Sequence, residues 1–286
     1  MKIGILEYQN HHISYLNTLS KICEDHNVKI FKDYKEAQGQ TGSLDLLFVN
    51  TITPLPKDMF RWINFKPKCK TILTLHELNT DFKTMKFIIN KFDAISVPLK
   101  SMKNYIIKNK LYDGTIHNFP FMLHEKVYPN KNNMIVIPGR IENFRRDYSV
   151  VWRTIKKEDK CCLLGEPIGK YGDMVLNTCN HLNEVGYTFK TFNAFIPQDI
   201  YDKTLKECKS IMTPLKIPTK GHNRLFKEYY GKTKACGAVF ESIKYGKEFV
   251  STVNFDIKYK DCLLEDWKKY LEKEVLEEIE WSKKEY

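Results

Sequence analysis

No stretch of this 286-residue sequence approaches the ~20 consecutive apolar residues that a bilayer-crossing helix needs, which argues against helical membrane spans. No CxxC pair occurs, and no Cys/His grouping has zinc-ligand spacing. The eight cysteines, at 23, 69, 161, 162, 179, 208, 236 and 262, are scattered. Such a pattern suits reduced, packed thiols in a cytosolic protein better than a disulfide framework. The end of the first strand and the residues after it read Gly4-Ile5-Leu6-Glu7-Tyr8-Gln9, which lacks the GxGxxG of a dinucleotide-binding epimerase or dehydrogenase. No recognised nucleic-acid-binding motif is present. The opening MKIGILEY enters a strand-like run without a signal-peptide profile, so the expected location is the cytoplasm, with peripheral contact at a membrane left open.

What the sequence does carry is positive charge. Lysine and arginine number 46 against 35 acidic residues, a formal net charge of +11. This excess suits an anionic partner, whether a nucleoside diphosphate, an anionic membrane surface or nucleic acid. A generally lysine-rich surface would produce the same number. Hydrophobic content of 42% and charged content of 28% are those of a globular protein, and the length suits two domains.

Short apolar runs alternate with helical periodicity. Strands are expected over 2–6, 28–31, 44–49, 71–75, 94–97 and 115–117, with helices after 13, near 82–90 and over 101–108. The loop 128–133 (YPNKNN) reads as a linker, and the alternation then restarts. Strands are expected over 134–137, 161–164, 188–192, 210–213 and 249–251, separated by helices over 147–156, 174–183 and 200–207 and one ending near 245. This order of elements indicates an α/β protein of two doubly wound, Rossmann-like domains with parallel sheets. The expected boundaries are 1–128, 129–258 and a tail over 259–286. In the tail Leu264, Trp267, Leu271, Val275 and Ile279 form one apolar face. It is an amphipathic helix expected to pack back on the domains.

Ligands of open α/β sheets bind beyond the carboxyl ends of strands, and three such loops in the second half stand out. Pro138-Gly139-Arg140 through Arg145-Arg146-Asp147 combines a glycine turn with three arginines in seven positions. Guanidinium forks match phosphate oxygens, so the loop suits a diphosphate, or else it is a solvated basic loop. Leu164-Gly165-Glu166, with Gly169 and Lys170 following, reads alone as an ordinary strand-to-helix turn. The third, 230–247, places small residues before a short helix that holds Glu241 and ends at Gly246. Backbone N–H groups at that helix start can receive phosphate or sugar oxygens, and Glu241 can accept hydrogen bonds from a hydroxyl pair or simply face solvent.

The order of these loops resembles the C-terminal domain of GT-B glycosyltransferases, above all the large retaining family that uses nucleotide-diphospho-sugars (glycosyl transferases group 1). The resemblance rests on Gly139-Arg140 with Arg145 five residues on, Leu164-Gly165-Glu166, Thr213-Pro214, and Glu241 with Gly246-Lys247. In the first half, Thr74-Leu75-His76-Glu77 resembles the strand end whose histidine lies near the donor sugar. The element from Asp93 to Lys103 and the turn Ile116-His117-Asn118-Phe119-Pro120 fall in matching order, and the resemblance covers roughly 1–255.

The resemblance implies an enzyme of the hexosyltransferase type (EC 2.4) that moves a sugar from a nucleoside-diphosphate-sugar to an acceptor hydroxyl. His76, Arg140 and Arg145 would be catalytic. Gly139, Arg146, Gly165, Pro214, Lys234, Gly237 and Glu241 would bind the donor nucleotide. His11 and His12 would face the acceptor, which would be a glycan, a lipid-linked species or another hydroxyl compound. No cofactor is expected, and the absence of a DxD motif agrees with a metal-independent reaction. Closure of the two domains would exclude water. Two positions depart from the pattern. The family's earlier acid, eight residues before Glu241, falls at Thr233, and the first loop has Tyr8-Gln9-Asn10-His11-His12 where Gly-Gly is common. Both bear on the donor-sugar contacts and on retention. The alternatives are a DNA-modifying glucosyltransferase or another basic protein associated with nucleic acid, and a sugar-nucleotide binder without activity.

Overall fold

The computed structural model describes residues 1–7, 13–50, 62–78, 82–124, 126–220, 227–257 and 259–277. The chain forms two compact units, one of Met1–Leu123, Gly231–Ala235 and Asp256–Tyr286, the other of His124–Tyr230 and Cys236–Phe255.

The first unit is built on β1 (Lys2–Leu6), β2 (Asn27–Phe31), β3 (Leu46–Val49), β4 (Lys70–Thr74), β5 (Ala94–Ser96) and β6 (Thr115–His117). They form one parallel sheet in the order β2-β1-β3-β4-β5-β6. The runs Ile3, Ile5, Leu6 and Leu46 through Val49 are fully buried, as strands covered on both faces must be. Helices α1 (Ile13–Ile22), α2 (Tyr34–Gln40), α3 (Phe82–Ile89) and α4 (Lys100–Lys108) connect them. Asp33 caps α2, its carboxylate accepting from the Lys35 and Glu36 amides at 2.9 and 3.1 Å.

The second unit holds β7 (Met134–Pro138), β8 (Lys160–Leu164), β9 (Thr188–Lys190), β10 (Ser210–Thr213) and β13 (Glu248–Ser251) in the order β13-β10-β7-β8-β9, all parallel. A small antiparallel hairpin, β11 (Thr219–Lys220) with β12 (Lys227–Glu228), stands apart from that sheet. The helices are α5 (Ser149–Thr154), α6 (Gly169–Glu184), α7 (Gln198–Glu207) and α8 (Gly237–Tyr245). Ile137, Tyr148, Val151, Leu163, Val175 and Met212 are among its core. Helix α6 begins at Gly169, five residues before the periodicity of 174–183 starts, because its first five residues, Gly169-Lys170-Tyr171-Gly172-Asp173, carry no apolar stripe that marks a helix in the sequence. Gly246 closes α8 at φ +60°, and the Gly246 and Lys247 amides donate back to Ile243 and Ser242, the glycine-dependent helix stop expected from the sequence.

The tail forms α9 (Leu264–Tyr270), which runs on through a wider π-helical turn, Leu271–Leu276. It docks on the first unit. Leu271, Val275 and Leu276 are buried, Trp267 and Tyr270 lie 5.4 and 5.3 Å from the Phe119 ring, and Lys268 pairs with Glu24 and Asp25 near the end of α1. No helix among the described residues is long and apolar enough to cross a membrane. All eight cysteines are free, and seven are buried. Burial pushes thiols such as Cys162 and Cys208 up to about 11, so they stay protonated at neutral pH.

Candidate functional site

In the second sheet the strand order reverses between β7 and β10, and it is beyond the carboxyl ends of such a pair that a crevice opens. The loop 139–147 leaves β7 there. It is stitched to both neighbours by backbone hydrogen bonds. On the β8 side Gly139 donates to Leu164 at 3.0 Å and Ile141 to Glu166 at 2.9 Å, while Ile168 donates back to Ile141 at 3.0 Å. On the β10 side Asp147 donates to Pro214 at 2.8 Å and Lys216 to Arg145 at 2.9 Å. Gly139 turns at φ +96°, a conformation that disfavours any side chain. Gly165 has the other requirement, space, since an added Cβ would stand 1.9 Å from the Gly139 carbonyl oxygen.

The three arginines of this loop have different surroundings. Arg146 is tied inward. Its guanidinium donates to Thr213 Oγ1 at 2.6 Å and to the Pro138 carbonyl at 2.9 Å, clasping the ends of β7 and β10. Arg145 lies against Glu142, Nε to Oε1 at 2.5 Å, with its side chain about one-third exposed. Burial works against its charge, but the Glu142 hydrogen bond and charge, helped by Tyr230 and Cys236, leave its affinity for the proton raised. Arg140 points most freely into solvent, its side chain 67% exposed and only loosely facing Glu166 at 3.9 Å. A closely paired cation and an exposed one therefore stand on one loop.

Gly237 begins α8 and is exposed, and Glu241 lies in the helix, half-buried. Tyr201, on α7, lies within the electrostatic reach of both Glu241 of this helix and Arg146 of the loop. Burial raises its phenol far above the ordinary value; Glu241 adds to that rise and Arg146 opposes it. A tyrosine on an amphipathic helix reads as packing, so nothing in the sequence marked it. Lys247, in the closing signature, is buried and donates to the Tyr128 carbonyl at 2.9 Å and Asn130 Oδ1 at 3.0 Å. It anchors the start of its own unit.

His76, at the exit of β4 in the first unit, stacks on Phe121 with ring centroids 4.6 Å apart. Its neighbour Glu77 forms a buried ion pair with Lys234, with side chains 10% and 6% exposed. Leu78 N donates to the Thr233 carbonyl at 2.8 Å. Lys234 thus belongs with Glu77 in the first unit. Glu7 and Asn50, buried and hydrogen-bonded to each other, sit after β1 and β3, the switch point of the first sheet; sequence reasoning did not find them, because a lone acid and a lone amide carry no spacing signal. His11 and His12 lie outside the described residues. Among the described residues no three His, Cys, Asp or Glu side chains converge as a metal-binding group.

Two parallel, doubly wound units, the second with a ledge of glycines and arginines at its strand-order reversal, define a Rossmann-like α/β protein. Comparison with solved structures makes the fold specific. AviGT4, a glycosyltransferase involved in avilamycin A biosynthesis, aligns over 94% of this chain and 91% of its own with a TM-score of 0.56 at 8% identity. The lipopolysaccharide outer core galactosyltransferase WaaB aligns over 98% and 91% with a TM-score of 0.56 at 11% identity. An α-glucosyltransferase solved with UDP and a 13-mer DNA containing an HMU base aligns over 88% and 79% with a TM-score of 0.53 at 10% identity. The chain has the GT-B fold of these glycosyltransferases. No protein-family model and no curated protein matches its sequence at a significant level.

Proposed function

We propose that this protein is a metal-independent glycosyltransferase that moves a sugar from a nucleoside-diphosphate-sugar to an acceptor hydroxyl with retention of anomeric configuration. The observation that carries the proposal is the stitched loop 139–147 at the reversal point of the second sheet, where Gly139 and Gly165 let the exits of β7 and β8 meet backbone against backbone and Arg140 and Arg145 supply charge. In the reaction the bond from the anomeric carbon to the diphosphate oxygen breaks and a bond to the acceptor oxygen forms. Negative charge builds on the departing diphosphate, and preorganised cations facing it lower the barrier. Arg145, oriented by Glu142, is the fixed cation. Arg140 is free to swing onto the phosphates. Arg146 keeps the ledge in shape through Thr213 and Pro138, and the strand exits at Gly165 and Pro214 are assigned to the nucleotide. Gly237 offers amides at the start of α8, and Glu241 accepts the hydroxyls of ribose or sugar. His76 is assigned to the donor sugar and Lys234, paired with Glu77, to the donor nucleotide on the resemblance to the family alone. His11 and His12 are assigned to the acceptor.

Incubation with a panel of nucleoside-diphosphate-hexoses should release nucleoside diphosphate at a rate that Arg140→Ala and Arg145→Ala each lower about a hundredfold. Proton NMR of the transferred sugar should show the donor's anomeric configuration. Release unchanged in the double variant contradicts the proposal. A second reading has support in the +11 charge and in the fold shared with a transferase solved on DNA. Its acceptor would be a modified base, and transfer to duplex DNA containing hydroxymethylated bases would distinguish it.

A further inference from the structure

The first unit carries an unusual outer face. Helix α3 joins β4 to β5 and α4 joins β5 to β6, and these three strands are neighbours in that order. Two successive right-handed crossovers stepping the same way place both helices on one side of the sheet. They are tied at one end, where Lys86 Nζ donates to the Lys110 carbonyl at 3.3 Å and Asn90 to the Leu111 carbonyl. Met85, Ile88 and Ile89 of α3 and Met102 and Ile106 of α4 are buried. The opposite faces are open. Phe87 is 40% exposed and Ile107 53% exposed, and on the same two helices and just past their ends Lys83, Lys86, Lys91, Lys108 and Lys110 are all exposed.

The charge of this face is one-sided. Residues 82–114 contain seven lysines, no arginine, no glutamate and two aspartates, Asp93 and Asp113. The Asp93 carboxylate is taken up by the amide and hydroxyl of Thr71 at 2.9 and 2.8 Å. None of the five exposed lysines forms an ion pair with a described carboxylate. Lys91 instead lies over the Phe87 ring, 5.1 Å from its centroid. Apolar side chains left in water within a field of unpaired ammonium groups match a surface that is anionic outside and apolar beneath. Nucleic acid fits less well. Ile107 has no π-face on which a base could stack, and the segment has no guanidinium to grip phosphate bidentately. Mobile lipid headgroups need only point charges.

We propose that the α3–α4 face docks this protein on anionic lipid bilayers, with the lysines among the headgroup phosphates and Phe87 and Ile107 entering the acyl boundary. The inference does not depend on the sugar-transfer proposal, because its readout is binding alone.

The test is co-sedimentation of the full chain with vesicles of phosphatidylcholine, alone or with 30% phosphatidylglycerol. The protein should pellet with the anionic vesicles only, and binding should fall as salt rises. Each lysine replaced by glutamine among Lys83, Lys86, Lys108 and Lys110 should lower partitioning about fivefold. Phe87→Ser with Ile107→Ser should lower it about tenfold and leave the salt dependence intact, with unchanged circular dichroism showing that the fold persists. Equal binding to both vesicles, binding to neither, or binding unaffected by the variants overturns the proposal. So does displacement by millimolar inorganic phosphate, which would make the face a free-phosphate site. Tighter binding to duplex DNA that the same lysine variants abolish would assign the face to nucleic acid.

Discussion

A Cβ on Gly165 would stand 1.9 Å from the carbonyl oxygen of Gly139, so the exits of β7 and β8 meet backbone against backbone. The contact lets the Arg140 loop lie flat on its neighbour, and no side chain larger than hydrogen fits there. Gly165→Ala should destabilise the protein by about 3 kcal/mol, the upper range for overpacking a rigid site, read as a lowered urea midpoint. An unchanged midpoint would show that the ledge yields.

Arg140 and Arg146 should separate function from structure. Arg140 is exposed and bound to little, so Arg140→Ala should leave the melting temperature within a degree or two while cutting sugar transfer. Arg146→Lys cannot span both Thr213 Oγ1 and the Pro138 carbonyl. Leaving buried acceptors unmet costs about 1–3 kcal/mol, so this variant should melt lower. Paired melting curves and rates check both.

The buried Glu77–Lys234 pair joins residues 157 apart in sequence. Glu77→Gln removes the countercharge of a buried ammonium and should cost about 3–5 kcal/mol, the usual penalty for breaking a buried pair. The exchange Glu77→Lys with Lys234→Glu should recover part of that loss. No recovery would mean that the pair's surroundings, rather than its charges, set the stability.

His117 should give the protein an acid-sensitive stability. Burial, with Lys103 adding to it, lowers its pKa from 6.5 to about 4, and Nδ1 lies 3.2 Å from the Tyr270 hydroxyl. Between those values the unfolded chain binds a proton that the folded chain refuses, so stability rises with pH through this window. Lowering the pH from 7 to 5 should cost about 2 kcal/mol from this group alone. His117→Gln should flatten the dependence of the unfolding midpoint on pH over that range.

Much of the fold was legible because parallel strands buried on both faces leave continuous apolar runs, and 2–6, 134–138 and 210–213 announced themselves that way. Gly246 was legible as a helix stop because few residues accept its φ. Sequence order, however, does not show long-range pairing. The segment Gly231–Ala235 and the tail from Asp256 join the first unit through contacts such as Glu77 with Lys234, and no local pattern encodes a partner so distant. The three arginines also looked alike in sequence. Only the positions of Thr213, Glu142 and Glu166 show that one is clasped, one paired and one free.

The most direct test of a donor-holding second unit is titration with UDP and the other nucleoside diphosphates, followed by calorimetry and thermal shift. A nucleoside diphosphate should bind at one site, and at a hundredfold excess over its Kd it should stabilise the fold by about 2.7 kcal/mol. Arg140→Ala with Arg145→Ala should abolish the effect. If no nucleoside diphosphate binds, or the double variant binds as tightly as the native chain, the second unit is not a donor site built on that ledge.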